Sequence, residues 1–254
     1  TTVDAGARIW RLYNMGFVVR TPSATIGFDI RRGWDYGRDW SFEGISDAWL
    51  DRLAEQLDAV FISHAHLDHV DRGLAMRMLS RGRPVIVPPN VFTKLTHNSI
   101  VRPERLAADA QAVHALRKLT LAEGRALRYV PYPGHQGRLE NNVYLVRTGE
   151  GLTFMHPGDQ YSRCDWIWID QVAQHHIVDV LLVNCWTNDI NRLYAGVRPA
   201  WVLTGHEAEL GHKPIKRETF FRSYKLARTS GDAKLHVLCW GEGLGYQRGR
   251  SGLP

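Results

Sequence analysis

Apolar and polar positions divide the chain into short strands with helices between them, and several strands end in a histidine or an aspartate. Residues 8–13, 16–20 and 25–30 read as three opening strands, the last entered through the turn Pro22-Ser23. Ser46 is placed to cap a helix running to residue 57, with Trp49, Leu50, Leu53 and Leu57 on one face. The apolar run Ala59-Val60-Phe61-Ile62 predicts a buried strand, and Asp71 caps a following helix carrying Leu74, Met78 and Leu79. A short strand over 84–88 and a helix over 90–97, capped by Asn90, come next. Residues 126–132 predict a strand running into Pro133-Gly134-His135-Gln136-Gly137, and 142–147 with 152–156 predict a hairpin ending in Pro157-Gly158-Asp159. Residues 166–175 are expected as one helix whose polar end is His175-His176. Buried strands over 179–185 and 200–204 flank a loop containing Trp186, Asn188 and Tyr194. Pro214 opens a basic amphipathic helix to residue 228, residues 235–240 are the last strand, and the Gly-rich tail 241–254 is expected to fray. Strands followed by strand–helix units, with no linker or repeat, argue for one layered domain over residues 1–254.

The chemistry concentrates where the strand 59–63 ends. His64-Ala65-His66-Leu67-Asp68-His69 places three histidines and a carboxylate within six residues. Neutral imidazole and carboxylate are the ligands that zinc and similar divalent metals prefer. Packed together without a cation, such groups would repel when protonated or stay unsatisfied when buried. In an extended loop His64 and His66 point one way while Asp68 and His69 turn toward a neighbouring point, which suits two metal positions better than one. A histidine in a Gly-flanked loop at a strand end, as at His135, is well placed as a further ligand. Asp29 interrupts an apolar strand; it either orients a ligand histidine from behind or turns the chain at the strand end.

Composition narrows the class. The chain has 254 residues, 44% hydrophobic and 23% charged, as in ordinary globular proteins. No run of eighteen apolar residues is present, so no transmembrane helix is expected. The three cysteines are too scattered for a disulfide framework or a Cys-x-x-Cys knuckle. The formal charge of +6 is spread along the chain, compatible with an anionic substrate, and no basic run interleaved with aromatics suggests nucleic acid. Thr1-Thr2-Val3-Asp4 is unlike a signal peptide, so a cytoplasmic location is expected; the missing initiator Met leaves secretion with a removed leader as the alternative.

Strand ends supply His64, His66, Asp68, His69, His135, Asp159 and His206 in that order. Over nearly the whole chain this arrangement resembles the metallo-β-lactamase superfamily, most nearly the hydrolase branch containing ascorbate-6-phosphate lactonase-like proteins. The resemblance implies a mixed α/β (α+β) fold, a four-layer αββα sandwich with metals at one edge between two sheets. It implies that His64, His66 and His135 hold one metal, that Asp68, His69 and His206 hold the second, and that Asp159 bridges both. Histidine at position 66 argues against the branch that places Glu there and uses di-iron for redox chemistry. The loop after His206 departs from the pattern in its charge, and Glu207 or His212 is a candidate for binding substrate or shuttling protons.

The expected activity is metal-assisted hydrolysis. Two divalent ions, zinc first with manganese or iron able to load the same ligands, would lower the pKa of a bridging water from about 15.7 toward about 7. The resulting hydroxide would attack an ester, lactone or amide of a small molecule, with Asp68 passing a proton to the leaving group. The loops over 31–43 and 186–194 would select the substrate, with Trp186, Asn188 and Tyr194 as contact candidates. A small phosphodiester is the alternative substrate, and a metal-binding or sensing protein without turnover is the alternative function. Oligomeric state is not readable from the sequence.

Overall fold

The computed structural model describes residues 3–33, 45–89, 91–92, 112–136, 139–187, 189–207, 220–230 and 234–249, without the side chains of residues 135, 136 and 230. The chain opens with β1 (Ala7–Arg11), β2 (Phe17–Arg20) and β3 (Thr25–Phe28), followed by α1 (Asp47–Gln56), β4 (Ala59–Phe61), α2 (Arg72–Ser80) and β5 (Val85–Ile86). It continues with β6 (Arg117–Thr120), β7 (Ala126–Gln136), β8 (Leu139–Arg147), β9 (Thr153–His156), α3 (Trp166–Ile169) and α4 (Val172–His175). The last elements are β10 (Val180–Asn184), α5 (Ile190–Val197), β11 (Trp201–Gly205), α6 (Phe220–Ser230), β12 (Leu235–His236) and β13 (Gly243–Tyr246).

Two sheets result. One has the order β13-β1-β2-β3-β4-β5 and the other β12-β11-β10-β9-β8-β7-β6. Side chains alternate across each strand, so one strand feeds two cores. In β4, Ala59 and Phe61 point between the sheets, where they meet Phe17, Phe28, Tyr144, Phe154 and Leu182. Val60 and the following Ile62 point outward to Leu50 and Ala54 of α1 and Leu74 and Met78 of α2. On the far side, Val143, Leu145, Leu181 and Val183 pack under Trp168 of α3, Val172 of α4 and Leu193 of α5. The layers are therefore helix, sheet, sheet, helix, as expected.

The caps form as predicted. Ser46 accepts from Trp49 N at the start of α1, and Asp71 accepts from Leu74 N at the start of α2. Trp49 itself is exposed, because the buried face of α1 runs through Leu50 and Ala54.

Other expectations need correction. The helix over 166–175 is two short helices, α3 and α4. Residues 190–194 of the loop expected over 186–194 are helical, in α5, which is capped by Asp189 accepting from Arg192 N. Strand β6 was not foreseen, since Arg117-Lys118-Leu119-Thr120 has one apolar residue and half its positions exposed. Residues 235–240 contain only the two-residue β12. The tail does not fray over 243–249: β13 pairs antiparallel with β1, with Ala7 opposite Tyr246. Buried Tyr246 donates its hydroxyl to Asp179 Oδ1 at 2.7 Å, and Arg248 Nε meets the same oxygen at 2.8 Å. The helix expected over 90–97 falls almost wholly outside the described residues, as do residues 214–219 of the last helix. Among the described residues no helix is long and apolar enough to cross a membrane.

Candidate metal centre

Parallel pairing sets the site. β3 and β4 run parallel with Phe28 opposite Phe61, so Asp29 leaves the sheet beside the residues that follow β4. Asp29 adopts a left-handed φ of 41° and is fully buried. Its Oδ1 accepts from Ser63 N at 2.7 Å, and its Oδ2 accepts from the Ser63 hydroxyl at 2.5 Å. Oδ2 also faces His69 Nδ1 at 2.7 Å. An ionised carboxylate only accepts, so the proton lies on His69 Nδ1 and the Ser63 hydrogen is committed. Ser63 Oγ must then accept from His64 Nδ1, 2.9 Å away. One carboxylate thus directs the Nε2 atoms of both His64 and His69 away from itself, toward the cluster.

The facing wall comes from the second sheet. β9 ends in the turn Pro157-Gly158, where Gly158 has φ 54° and a Cβ would lie 2.4 Å from Asn141 Oδ1 and from Ser63. Only glycine fits that approach. Asn141 Oδ1 accepts from Asp159 N at 3.1 Å while its Nδ2 donates to Pro157 O, and Asn184 Nδ2 donates to Gly158 O. The turn so held aims Asp159 inward. Its Oδ2 lies 3.4 Å from His64 Nε2 and 4.0 Å from His66 Nδ1. Its Oδ1 lies 3.3 Å from His69 Nε2 and 3.4 Å from His206 Nε2. Asp68 Oδ2 lies 3.3 Å from His69 Nε2 and 3.4 Å from His206 Nε2. His206 follows β11 at a left-handed φ of 67°.

Two groups could each hold a cation: His64 with His66 and Asp159, and Asp68 with His69 and His206, the ligand atoms within each group lying within 4.8 Å of one another. The donor set fits. The buried Nε2 atoms of His69 and His206 make no hydrogen bond, although each has two carboxylate oxygens at 3.3–3.4 Å. In this second group the nitrogens face the same carboxylate oxygens, whereas in the first His64 Nε2 and His66 Nδ1 lie 3.0 Å apart. The electrostatics agree. Burial opposes a charge on His69, yet Asp159, Asp68 and Asp29 together raise its pKa well above the usual imidazole range. Burial likewise opposes charge on His206, but Asp159 and Asp68 push it up to about 10. Asp68 and Asp159 stay far below the ordinary carboxylate range despite burial, chiefly through His69 and His206. The cavity calls for positive charge at these nitrogens, which a proton or a metal ion would satisfy.

Several of the other expected residues lie outside the described set. The backbone of His135 lies in β7 opposite Glu140, and its side chain is outside the described set. Asn188 and His212 also fall outside the described residues, as do residues 34–43 of the first loop. Trp186 stands against His206, ring centroids 5.3 Å apart and nearly perpendicular. Tyr194 sits in α5 and packs on the outer core. Glu207 points inward, not to substrate: it is fully buried, ion-paired with the equally buried Arg11 and accepting the Ser223 hydroxyl of α6. The charge of Glu207 belongs to a buried pair.

Sequence reasoning passed over Asn14, Ser63, Asn141, His156 and Tyr161. His156 stacks on Phe28 at 5.2 Å and hydrogen-bonds Met15 O through Nε2. Tyr161 lies beside Trp186, with centroids 5.7 Å apart. Only Ser63 carried a signal, as a polar residue directly after the apolar run 59–62 and before His64.

A family model for the β-lactamase superfamily domain matches residues 45–212. The chain belongs to the metallo-β-lactamase superfamily. UPF0173 protein YddR of Bacillus subtilis (strain 168) is 25% identical over 187 residues, covering 66% of this chain and 69% of that protein. Igni18, a metallo hydrolase from Ignicoccus hospitalis, shares the fold at a TM-score of 0.59 and 18% identity, over 96% of this chain and 99% of its own. A possible metal-dependent hydrolase from Veillonella parvula superposes at 0.61 with 14% identity, over 95% of this chain and all of that one. CmlA, a diiron β-hydroxylase from Streptomyces venezuelae, superposes at 0.65 with 13% identity, over 96% of this chain and 55% of its own. At these identities the solved structures speak to the fold.

Proposed function

We propose that this protein is a hydrolase using two divalent metal ions, zinc by preference, to cleave an ester, lactone or amide in a small molecule with an apolar body. The observation that carries the reading is the orientation of Asp159, whose two oxygens face different groups: Oδ2 toward His64 and His66, Oδ1 toward His69 and His206. A carboxylate so placed suits a bridge between neighbouring cations. His64, His66 and Asp159 would hold one, with His135 as a further ligand, and Asp68, His69, His206 and Asp159 the other. When bound, such ions act as Lewis acids on the bond to be cut and make water acidic enough to react near neutral pH.

The chain's own residues supply the rest. Asp29 and Ser63 hold His64 and His69 in one tautomer. Asp68 is the more accessible of the two facing carboxylates, with its side chain 18% exposed against 2% for Asp159, so the ionised carboxylate is the group to take the proton released by the attacking water and pass it to the departing oxygen or nitrogen. Leu67, 60% exposed, together with Tyr161 and Trp186 offers apolar surface at the rim. That surface favours substrates with an acyl or aromatic body over compact phosphodiesters.

The test is a panel assay on metal-loaded protein, using aryl esters, lactones, a chromogenic β-lactam and bis-nitrophenyl phosphate. Chelator-sensitive turnover of an ester, lactone or amide is expected. Turnover of the phosphate alone would replace this reading with a phosphodiesterase. Two bound equivalents with no turnover in any class would favour a sensor.

A further inference from the structure

Asn14 lies in the turn between β1 and β2, far in sequence from every residue of the metal cluster, yet it touches two of them. It is fully buried and adopts a left-handed φ of 55°. Its Nδ2 donates to Asp68 Oδ2 at 2.9 Å. That is the carboxylate oxygen facing His69 and His206. Its backbone carbonyl accepts from His206 N at 3.1 Å, at the residue that itself sits in a left-handed conformation. Arg11, held by Glu207, brings Nη2 to 3.4 Å from the same carbonyl. Asn14 Oδ1 makes no hydrogen bond and is buried. The amide orientation is therefore set by Asp68, since the flipped amide would press an oxygen against a carboxylate.

We infer that Asn14 is a positioning residue for one metal position only, the one formed by Asp68, His69 and His206. This rests on the two-metal reading. The side chain fixes the rotamer of Asp68, and the backbone fixes the turn that presents His206. Neither contact reaches His64 or His66. As a neutral donor, Asn14 holds the carboxylate without competing for the cation, whereas a carboxylate at position 14 would turn a hydrogen bond into like-charge repulsion. Partners that hold a ligand from behind typically change metal affinity about 10–100-fold when removed.

The experiment uses the full chain, loaded with zinc or cobalt and titrated with a competing chelator. Asn14→Gly removes only the amide arm, because glycine keeps the left-handed turn and the carbonyl that receives His206 N. The expected result is one equivalent held as tightly as in the unsubstituted protein and the other weakened about 10–100-fold, with the cobalt absorption of one position perturbed. Asn14→Asp, which keeps the shape and tolerates the left-handed region, should weaken the same equivalent. Equal loss of both equivalents would overturn the inference in favour of a general structural role. Unchanged affinity for both in Asn14→Gly, or unchanged or tighter binding in Asn14→Asp, would overturn it as well while leaving two-metal binding intact. An unsubstituted protein that never takes up more than one equivalent would instead overturn the two-metal reading, and the inference with it.

Discussion

Asp29 exerts wider control than its position in the sequence suggests. A single buried carboxylate receives Ser63 N, the Ser63 hydroxyl and His69 Nδ1, and through the hydroxyl it also sets His64. Asp29→Asn would put an amide N–H where an acceptor is required and free both imidazoles to take the other tautomer. The expected outcome is a loss of about 10–100-fold in affinity at both metal positions, measured by chelator competition. This contrasts with Asn14, whose contacts reach one position. The ligand candidates were legible because histidine and aspartate carry their chemistry in their names, and six of the seven supply side chains to the described cluster. The supporting residues were not legible. Asn14, Ser63 and Asn141 are ordinary polar residues whose importance depends on contacts 18 to 54 positions away. Glu207 misled for the opposite reason: its charge suggested chemistry, and only the fold reveals Arg11 beneath it.

Among the elements, α4 meets the 3₁₀ turn Ala112–His114 through a second group of histidines. His114 donates or accepts with the Tyr132 hydroxyl at 2.9 Å, stacks on His175 at 3.9 Å, and receives a hydrogen bond from His176 Nε2 on its carbonyl. Burial lowers its pKa to about 4, helped by the nearby His175 and His176. In the unfolded chain it would titrate near 6.5, so the unfolded state holds more protons between those values. Its stability contribution is complete above about pH 6.5, falls as pH drops toward 4, and levels below, by about 3 kcal/mol at most. Denaturant unfolding of the native protein and His114→Gln should therefore differ in slope over that window and run parallel outside it. A constant difference across it would contradict the assignment. Secondary structure was most legible where capping and periodicity coincided, as in α1 and α2. It was least legible in β6 and β12, whose pairing depends on distant partners, and in α5, where a run containing Trp186 and Asn188 resembled a loop.

At the scale of the whole molecule, the tail proves to be part of the first sheet. Tyr246 and Arg248 anchor it to Asp179, which is itself tied to Thr153 N, so the staple crosses from one sheet to the other. Removing residues 243–254 would bare the edge of β1 and leave buried Asp179 without its cation. We expect Tm to fall by about 5–10 °C and scattering to rise with protein concentration, as exposed strand edges seek new partners. A truncated chain with unchanged Tm and concentration-independent sedimentation would show the strand to be dispensable. The pairing of Ala7 with Tyr246 has one more consequence. The first and last strands meet end to start, so a short flexible peptide could join them without bending either. The fold is thus suited to circular permutation: new termini opened in the turn at Gly149-Glu150-Gly151, at the other end of the β8–β9 hairpin from His156, should leave both sheets and the metal cluster in place, with loss of the contacts that Ser23 and Arg248 make with that turn.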